Sequence, residues 1–393
     1  MGSPCEARSE IPEDWGAARS DNVEGILYQG TERRRLPTGH RERYCHLPED
    51  LSLEPMKTRI ADAYGRPLRD LRISVTDRCN LRCPYCMPAE VFSQSFRFLP
   101  KPEILTFDEI LRLARIFVDL GVTKIRITGG EPLLRTDLPD LIRDLAALPD
   151  VQDLTLTTNG LLLGRDAHAL RHAGLHRLTV SLDSLDPAVY RALAGRDADP
   201  QTVLIGIQAA EAAGFDSIKI NCVVKRGVND HTILDLVEHF RNTNHVLRFI
   251  EYMDVGSMNG WQLAHVVSGE EILSLIASRY EWEAIPSQYP GEVAKRYRLK
   301  DGSLEVGLIT SVSQPFCGDC TRARLSTKGD FVTCLFASGG IDLREPLRSG
   351  ASDETLRDHI MKCWTVRSDR YSELRTEATA GERTRIEMFR LGG

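Results

Sequence analysis

The chain has 393 residues, 42% of them hydrophobic and 27% charged, the balance of an ordinary soluble globular protein. A formal net charge of −6 argues against a nucleic-acid binder built on phosphate contacts. No run of about eighteen uninterrupted apolar residues offers a membrane span, and the length suits one large α/β barrel with an appended module, or two domains.

Residues 1–56 are polar, carry Gly and Pro and lack sustained periodicity, so they are expected to form a disordered leader. The leader mixes many acids with Arg33, Arg34 and Arg35, which argues against an acid-poor organellar transit peptide. From residue 71 onward strand and helix alternate. Apolar, β-branched runs predict six strands, at 71–76, 123–128, 153–158, 177–182, 217–224 and 246–252. Helical patterns fall between them at 107–120, 138–148, 167–172, 187–193, 202–213 and 231–242. Thr106 with Glu109 predicts a capping box, and Gly121 a left-handed stop. Six βα repeats imply parallel strands with right-handed crossovers and chemistry at their carboxyl ends. After residue 252 the repeat stops. Ser268 and Glu271 cap a helix to about residue 280, Asp301-Gly302 and Lys328-Gly329-Asp330 mark hairpin turns, and a helix over 353–364 precedes an arginine-rich tail. The expected organisation is a leader (1–56), a barrel (57–255) and a strand-rich module (256–393) covering the barrel's open side.

Six of the ten cysteines fall in two triads. Cys79, Cys83 and Cys86 are spaced by three residues and then two, just past the first strand, with Tyr85 before the last. A zinc site usually takes four ligands, and electron-transfer cubanes are normally closed by four cysteines. Three thiolates leave one iron open for chemistry. Cys317, Cys320 and Cys334 form a second triad, again without an obvious fourth ligand. Arg322-Ala323-Arg324 lies inside it, and guanidinium forks suit phosphate and purine acceptor edges. Short-spaced triads without a signal peptide point to metal binding in a reducing cytosol rather than to disulfides. Cys5, Cys45, Cys222 and Cys363 are assigned no chemistry. Gly129-Gly130-Glu131-Pro132 follows the second strand, where glycine allows close backbone approach and the carboxylate can accept from an ammonium. Arg72, Arg126, Lys219 and Arg248 interrupt apolar runs on four different strands, and such charges are rarely buried without a partner. Either they form a positive lumen, or each faces outward or pairs with an acid such as Asp77 or Glu251.

The first triad resembles the signature of the radical S-adenosylmethionine superfamily. The two triads together, the Arg322-Ala323-Arg324 run and the terminal Gly392-Gly393 closely resemble the GTP 3',8-cyclase family of molybdenum cofactor biosynthesis, from about residue 57 to the end. That resemblance implies an incomplete (βα)6 barrel with a strand-rich C-terminal module, two 4Fe–4S clusters and S-adenosylmethionine. It implies Tyr85, Gly130, Glu131, Ser181 and Met253 at the cofactor, with Asp183, like Ser181, near its ribose and amino acid parts. It also implies Arg72, Arg126, Thr157, Lys219, Arg248, Arg322, Ala323 and Arg324 at GTP, with Thr158 chemically equivalent to Thr157. The reaction implied begins with hydrogen abstraction from C3' of GTP by a 5'-deoxyadenosyl radical and continues by attack of C3' on C8 of guanine. The second cluster is expected to hold the guanine edge, and Gly392 and Gly393 to reach the active site. Further implied are a flavodoxin- or ferredoxin-type electron donor, a downstream cyclic pyranopterin monophosphate synthase, a homodimer and a cytoplasmic location. The competing expectations are a radical peptide-modifying enzyme with an auxiliary cluster, and a non-catalytic iron-sulfur or zinc module.

Overall fold

The computed structural model describes residues 59–93, 95–376 and 384–392; the expected leader, with Cys5 and Cys45, and Gly393 lie outside the described residues. Six strands follow the predicted runs closely: β1 (Asp70–Ser74), β2 (Lys124–Thr128), β3 (Asp153–Thr158), β4 (Arg177–Ser181), β5 (Lys219–Val224) and β6 (Val246–Glu251). Between them lie α1 (Phe107–Asp119), α2 (Leu138–Ala146), α3 (Leu163–His172), α4 (Pro187–Ala194), α5 (Pro200–Ala212) and α6 (Ile233–Phe240). The Thr106–Glu109 capping box is present in both directions, and Gly121 stops α1 at φ 109°. Asp186 and Asp199 cap α4 and α5, each followed by the proline that suits a first helical position.

Helix α3 begins four residues before the predicted start. The residue responsible is Gly164, a poor helix former by intrinsic propensity. Here α3 packs on α5 through glycine: a Cβ on Gly206 would come 2.7 Å from the Gly160 carbonyl, and one on Gly164 would reach only the Gly206 Cα. Close helix packing outweighs the propensity cost.

The C-terminal half contributes α7 (Gly269–Ala277), β7 (Trp282–Ile285), β8 (Lys295–Leu299), β9 (Glu305–Ile309), β10 (Arg322–Leu325), β11 (Asp330–Val332), β12 (Ile341–Asp342), α8 (Arg344–Arg348) and α9 (Asp353–Thr365). These strands form no separate sheet. Among the described residues one twelve-stranded sheet runs β12-β11-β10-β1-β2-β3-β4-β5-β6-β9-β8-β7. β10 joins β1, and β9 joins β6, both in parallel. The six parallel barrel strands are thus flanked by one further parallel strand on each edge, and the antiparallel hairpins lie outside those. The described residues form a single compact unit, and the expected boundary near residue 256 falls between strands of this one sheet. One hydrophobic core fills the space between the sheet and the helices, from Ile73 and Ile125 to Phe117 and Trp364. No helix among the described residues is long and apolar enough to cross a membrane.

The loop after β1 is locked onto α4 at a glycine. Gly195 ends that helix at φ 62°, and a Cβ there would come 1.9 Å from the Arg82 carbonyl. The left-handed conformation alone costs an alanine roughly 1–2 kcal/mol, and the clash adds to it. Gly195→Ala is expected to lower the thermal unfolding midpoint in scanning calorimetry by about 1–2 °C per kcal/mol lost, the shift for a chain of this size. An unchanged midpoint would show that the loop yields without cost.

Candidate active site

The sheet curves around a cavity of about 330 Å³, within the usual size range of small-molecule sites. Both cysteine triads line it. The first follows the carboxyl end of β1. The second precedes the amino end of β10, which runs parallel to β1 with Arg322 opposite Asp70; Cys334 follows β11, which returns antiparallel to the same end. The two triads therefore face the lumen from opposite ends of strands that span roughly 13 Å at about 3.3 Å per residue.

None of the six cysteines is in a disulfide. Burial pushes the Cys79 thiol up to about 11, and raises Cys83 and Cys86 strongly. Loading metal here must expel protons. Burial also raises Cys334 to about 11. At Cys320 burial acts in the same direction, but Arg322 and Arg367 outweigh it and bring the thiol down to about 7. Among the described residues no group of three His, Cys, Asp or Glu side chains stands as a ready-made single-ion site. Three separated thiols around a shared cavity fit a larger iron-sulfur group.

The Gly129-Gly130 turn packs against the first cysteine loop. A Cβ on Gly130 would lie 2.4 Å from the Arg78 carbonyl, and the Gly130 amide donates to Thr76 at 2.7 Å. The Glu131 side chain is buried and accepts from the Thr158 hydroxyl, the Asn159 amide and the Leu133 amide at 2.7, 2.8 and 3.1 Å. Burial nevertheless holds its carboxyl up at about 7. Asn159 continues the brace by donating to Asn80 at 2.7 Å. Opposite, Tyr85 donates to Asp183 at 2.6 Å, and Asp183 also accepts from the Val223 amide. Burial raises Asp183 to about 6. Ser181 and Met253 line the same cavity.

The four strand cations face the lumen. Arg324, Arg72 and Arg126 stand in one register across β10, β1 and β2. Arg126 donates to Thr157 and Thr179 at 2.9 and 3.1 Å, and Arg248 donates to Asn221 at 2.9 Å. Gly307 on β9 makes room, since a Cβ there would lie 2.9 Å from the Arg248 side chain. The two acids that the sequence offered as partners bond to backbone amides instead. Glu251 accepts from the Gly269, Val312 and Ser313 amides, and Asp77 accepts from the Leu99 amide. Of the two threonines, Thr157 serves Arg126 and Thr158 serves Glu131. Burial, then mutual repulsion with Arg324 and Arg126, drives Arg72 well below its ordinary value. Burial and Arg248 bring Lys219 down to about 7.

Of the residues expected at the nucleotide, Ala323 alone is outside the cavity lining. Its side chain is fully buried in the core opposite Leu71, because strand alternation turns it away from Arg322 and Arg324. Lys124 lines the cavity without having been singled out, held by Asp153 at 3.2 Å and by the Tyr289 hydroxyl at 3.0 Å. Its position two residues before Arg126 on the same strand was a usable signal. Arg367 and Phe389 also line the cavity, and no local pattern announces them. Gly392 is buried at φ 69°, where a Cβ would come 1.6 Å from the Thr128 hydroxyl. The tail reaches this seat by packing Phe389 against Phe92 and Met87.

A polyphosphate drawn in among these cations would raise the Lys219 value back toward its ordinary one. That value falls from 10.5 to about 7 in the free chain. Between those values binding takes up a proton and affinity falls as pH rises, whereas below about 7 Lys219 is already charged and the dependence flattens. Calorimetry of tripolyphosphate binding in two buffers of different ionisation heat measures the uptake, and Lys219→Ala is expected to reduce it.

Two family models match the chain: Radical SAM superfamily over residues 73–240 and Molybdenum Cofactor Synthesis C over residues 245–373. The first implies a 4Fe–4S cluster and S-adenosylmethionine. The chain is 56% identical to the GTP 3',8-cyclase of Acidothermus cellulolyticus over 82% of its own length and 91% of that protein's. It is 53% identical to that of Xanthomonas campestris pv. campestris, over 88% and 99%, and 50% identical to that of Staphylococcus saprophyticus, over 86% and 100%. In fold it is similar to Streptococcus suis SuiB bound to precursor peptide SuiA, with TM-score 0.51 and 17% identity over 77% of this chain and 66% of that one. That likeness concerns fold alone. Identity of half or more across nearly the whole length of such relatives makes this chain a member of the GTP 3',8-cyclase family.

Proposed function

We propose that the chain converts GTP to (8S)-3',8-cyclo-7,8-dihydroguanosine 5'-triphosphate, the first step of molybdenum cofactor biosynthesis. One observation carries this beyond family membership: four cations without a carboxylate partner among the described residues line a lumen between two cysteine triads. Cys79, Cys83 and Cys86 hold the first cluster, which with S-adenosylmethionine supplies hydrogen-abstracting radical chemistry. Tyr85, Gly130, Glu131, Ser181 and Met253 shape the cofactor's place. Arg72, Arg126, Lys219 and Arg248 hold the triphosphate, and Thr157 orients Arg126. Cys317, Cys320 and Cys334 hold a second 4Fe–4S cluster at the guanine edge, beside Arg322 and Arg324. The protein's own contribution is placement and exclusion of water.

The same reading assigns residues 57–255 to radical chemistry and 256–393 to the auxiliary cluster, after a leader over 1–56. It calls for a reducing cytoplasm, a flavodoxin- or ferredoxin-type electron donor, a homodimer, and a cyclic pyranopterin monophosphate synthase that consumes the product. Anaerobic turnover with GTP and S-adenosylmethionine, followed by product identification, tests it. Cys83→Ser is expected to abolish cleavage of S-adenosylmethionine, because hard oxygen replaces thiolate poorly at iron. Cys320→Ser is expected to keep slow cleavage but lose the cyclised product. Full cyclisation by the Cys320 variant would refute the second triad's role.

The tail has its own test. Gly392 is seated against Thr128 and the Gly129 amide, where any side chain would collide. Deleting Gly392 and Gly393 is expected to spare folding, iron content and GTP binding while product per S-adenosylmethionine cleaved falls at least tenfold. An unchanged ratio and rate would show that the tail has no part in the reaction.

A further inference from the structure

Beside the second triad lies a buried ionic group that the proposed nucleotide contacts do not include; of its three members Arg367 alone reaches the cavity lining. Asp62 and Arg66 come from the turn before β1, and Arg367 follows α9. Their side chains are 0%, 3% and 1% exposed. Asp62 accepts from Arg66 Nε at 2.6 Å and from Arg367 Nη1 at 2.8 Å. Each guanidinium also grips the cysteine turn by its backbone: Arg66 Nη1 donates to the Cys317 carbonyl at 2.7 Å, and Arg367 Nη1 to the Cys320 carbonyl at 2.9 Å. Trp364 fixes the pair from behind, donating to the Arg66 carbonyl and lying under the Arg367 guanidinium at 4.6 Å. Arg66 Nη2 is buried and has no hydrogen-bond partner among the described residues.

Two guanidiniums against one buried carboxylate leave a net positive charge. Asp369 approaches Arg367 Nε at 3.3 Å, but it is about a third exposed, so water screens it. An unmatched buried charge costs several kcal/mol, and apolar packing often serves stability as well or better. The arrangement makes electrostatic sense beside an anion. A cubane held by three thiolates is one: its net charge is minus one when oxidised, and reduction adds one electron and one further negative charge.

We propose that Asp62, Arg66 and Arg367 position the second cluster and set its reduction potential. The two arginines hold the Cys317–Cys320 turn and favour the reduced, more negative state, while Asp62 moderates their charge. Net charge and hydrogen bonding around a cluster are the protein's means of tuning it. This inference rests on the second triad being a cluster site.

The test is a dithionite titration of the anaerobically loaded full chain, followed by electron paramagnetic resonance. The first cluster, at the far end of the lumen, is the internal control. Arg367→Gln and Arg66→Gln are expected to shift the second cluster's midpoint downward by at least a tenfold change in its reduction equilibrium, about 59 mV for one electron. Asp62→Asn is expected to shift it upward; Asp369→Asn provides the same upward arm should the Asp62 variant fail to load. Arg367→Lys keeps the charge and is expected to keep the midpoint. A merely structural role would not give opposite signs for the arginine and aspartate variants. A wild-type chain binding about four irons rather than about eight would overturn the second-cluster reading itself. Eight irons with midpoints unmoved, or all moved one way, would overturn this proposal alone.

Discussion

Positive charge held inside the barrel without carboxylate partners is the constraint on which the site depends. Burying an ion costs several kcal/mol even after relaxation, against a total stability of roughly 5–15 kcal/mol for a domain. The chain spreads that cost over neutral acceptors. Thr157 and Thr179 accept hydrogen bonds from Arg126, and Asn221 accepts one from Arg248. Neutral acceptors orient a guanidinium without cancelling its charge, so the lumen stays positive until an anion enters. Glu251 and Asp77, the acids that the sequence offered as partners, are held by backbone amides instead.

The parallel addition of β10 to β1 supports this arrangement. It puts Arg324 beside Arg72 and Arg322 beside Asp70 in the ladder, and it carries the second cysteine turn to the amino end of the barrel strands. On the other edge, β9 meets β6 at Gly307, whose lack of a side chain leaves room for Arg248. The C-terminal half therefore completes the wall of the site as well as covering it. A hairpin module docked as a separate layer would not hold the arginine row in register.

Close backbone approach does comparable work at the opposite end. Gly130 meets the Arg78 carbonyl, Gly195 meets that of Arg82, and Gly392 meets Thr128. Three glycines far apart in sequence thus fix the cysteine loop, the Gly129-Gly130 turn and the tail relative to one another. Glu131 joins in by tying the end of β2 to the end of β3 through Thr158 and Asn159.

Much of this was legible in the amino-acid order. The period of apolar residues placed six strands and their helices, local caps marked helix ends, and the spacing of Cys79, Cys83 and Cys86 announced its chemistry, because all of these are short-range properties of the chain. The cations Arg72, Arg126, Lys219 and Arg248 were visible as charges in apolar runs, but whether they faced a lumen or a partner acid depended on where Glu251 and Asp77 found their hydrogen bonds. The start of α3 was misplaced because glycine propensity is local, whereas the packing against Gly206 that overrides it is not. The side-chain direction of Ala323, the parallel pairing of β10 with β1, the seat of Gly392 and the grip of Arg66 and Arg367 on the second cysteine turn join residues separated by tens to hundreds of positions. Such contacts depend on how the sheet closes and what the core excludes, so only the tertiary structure could decide them.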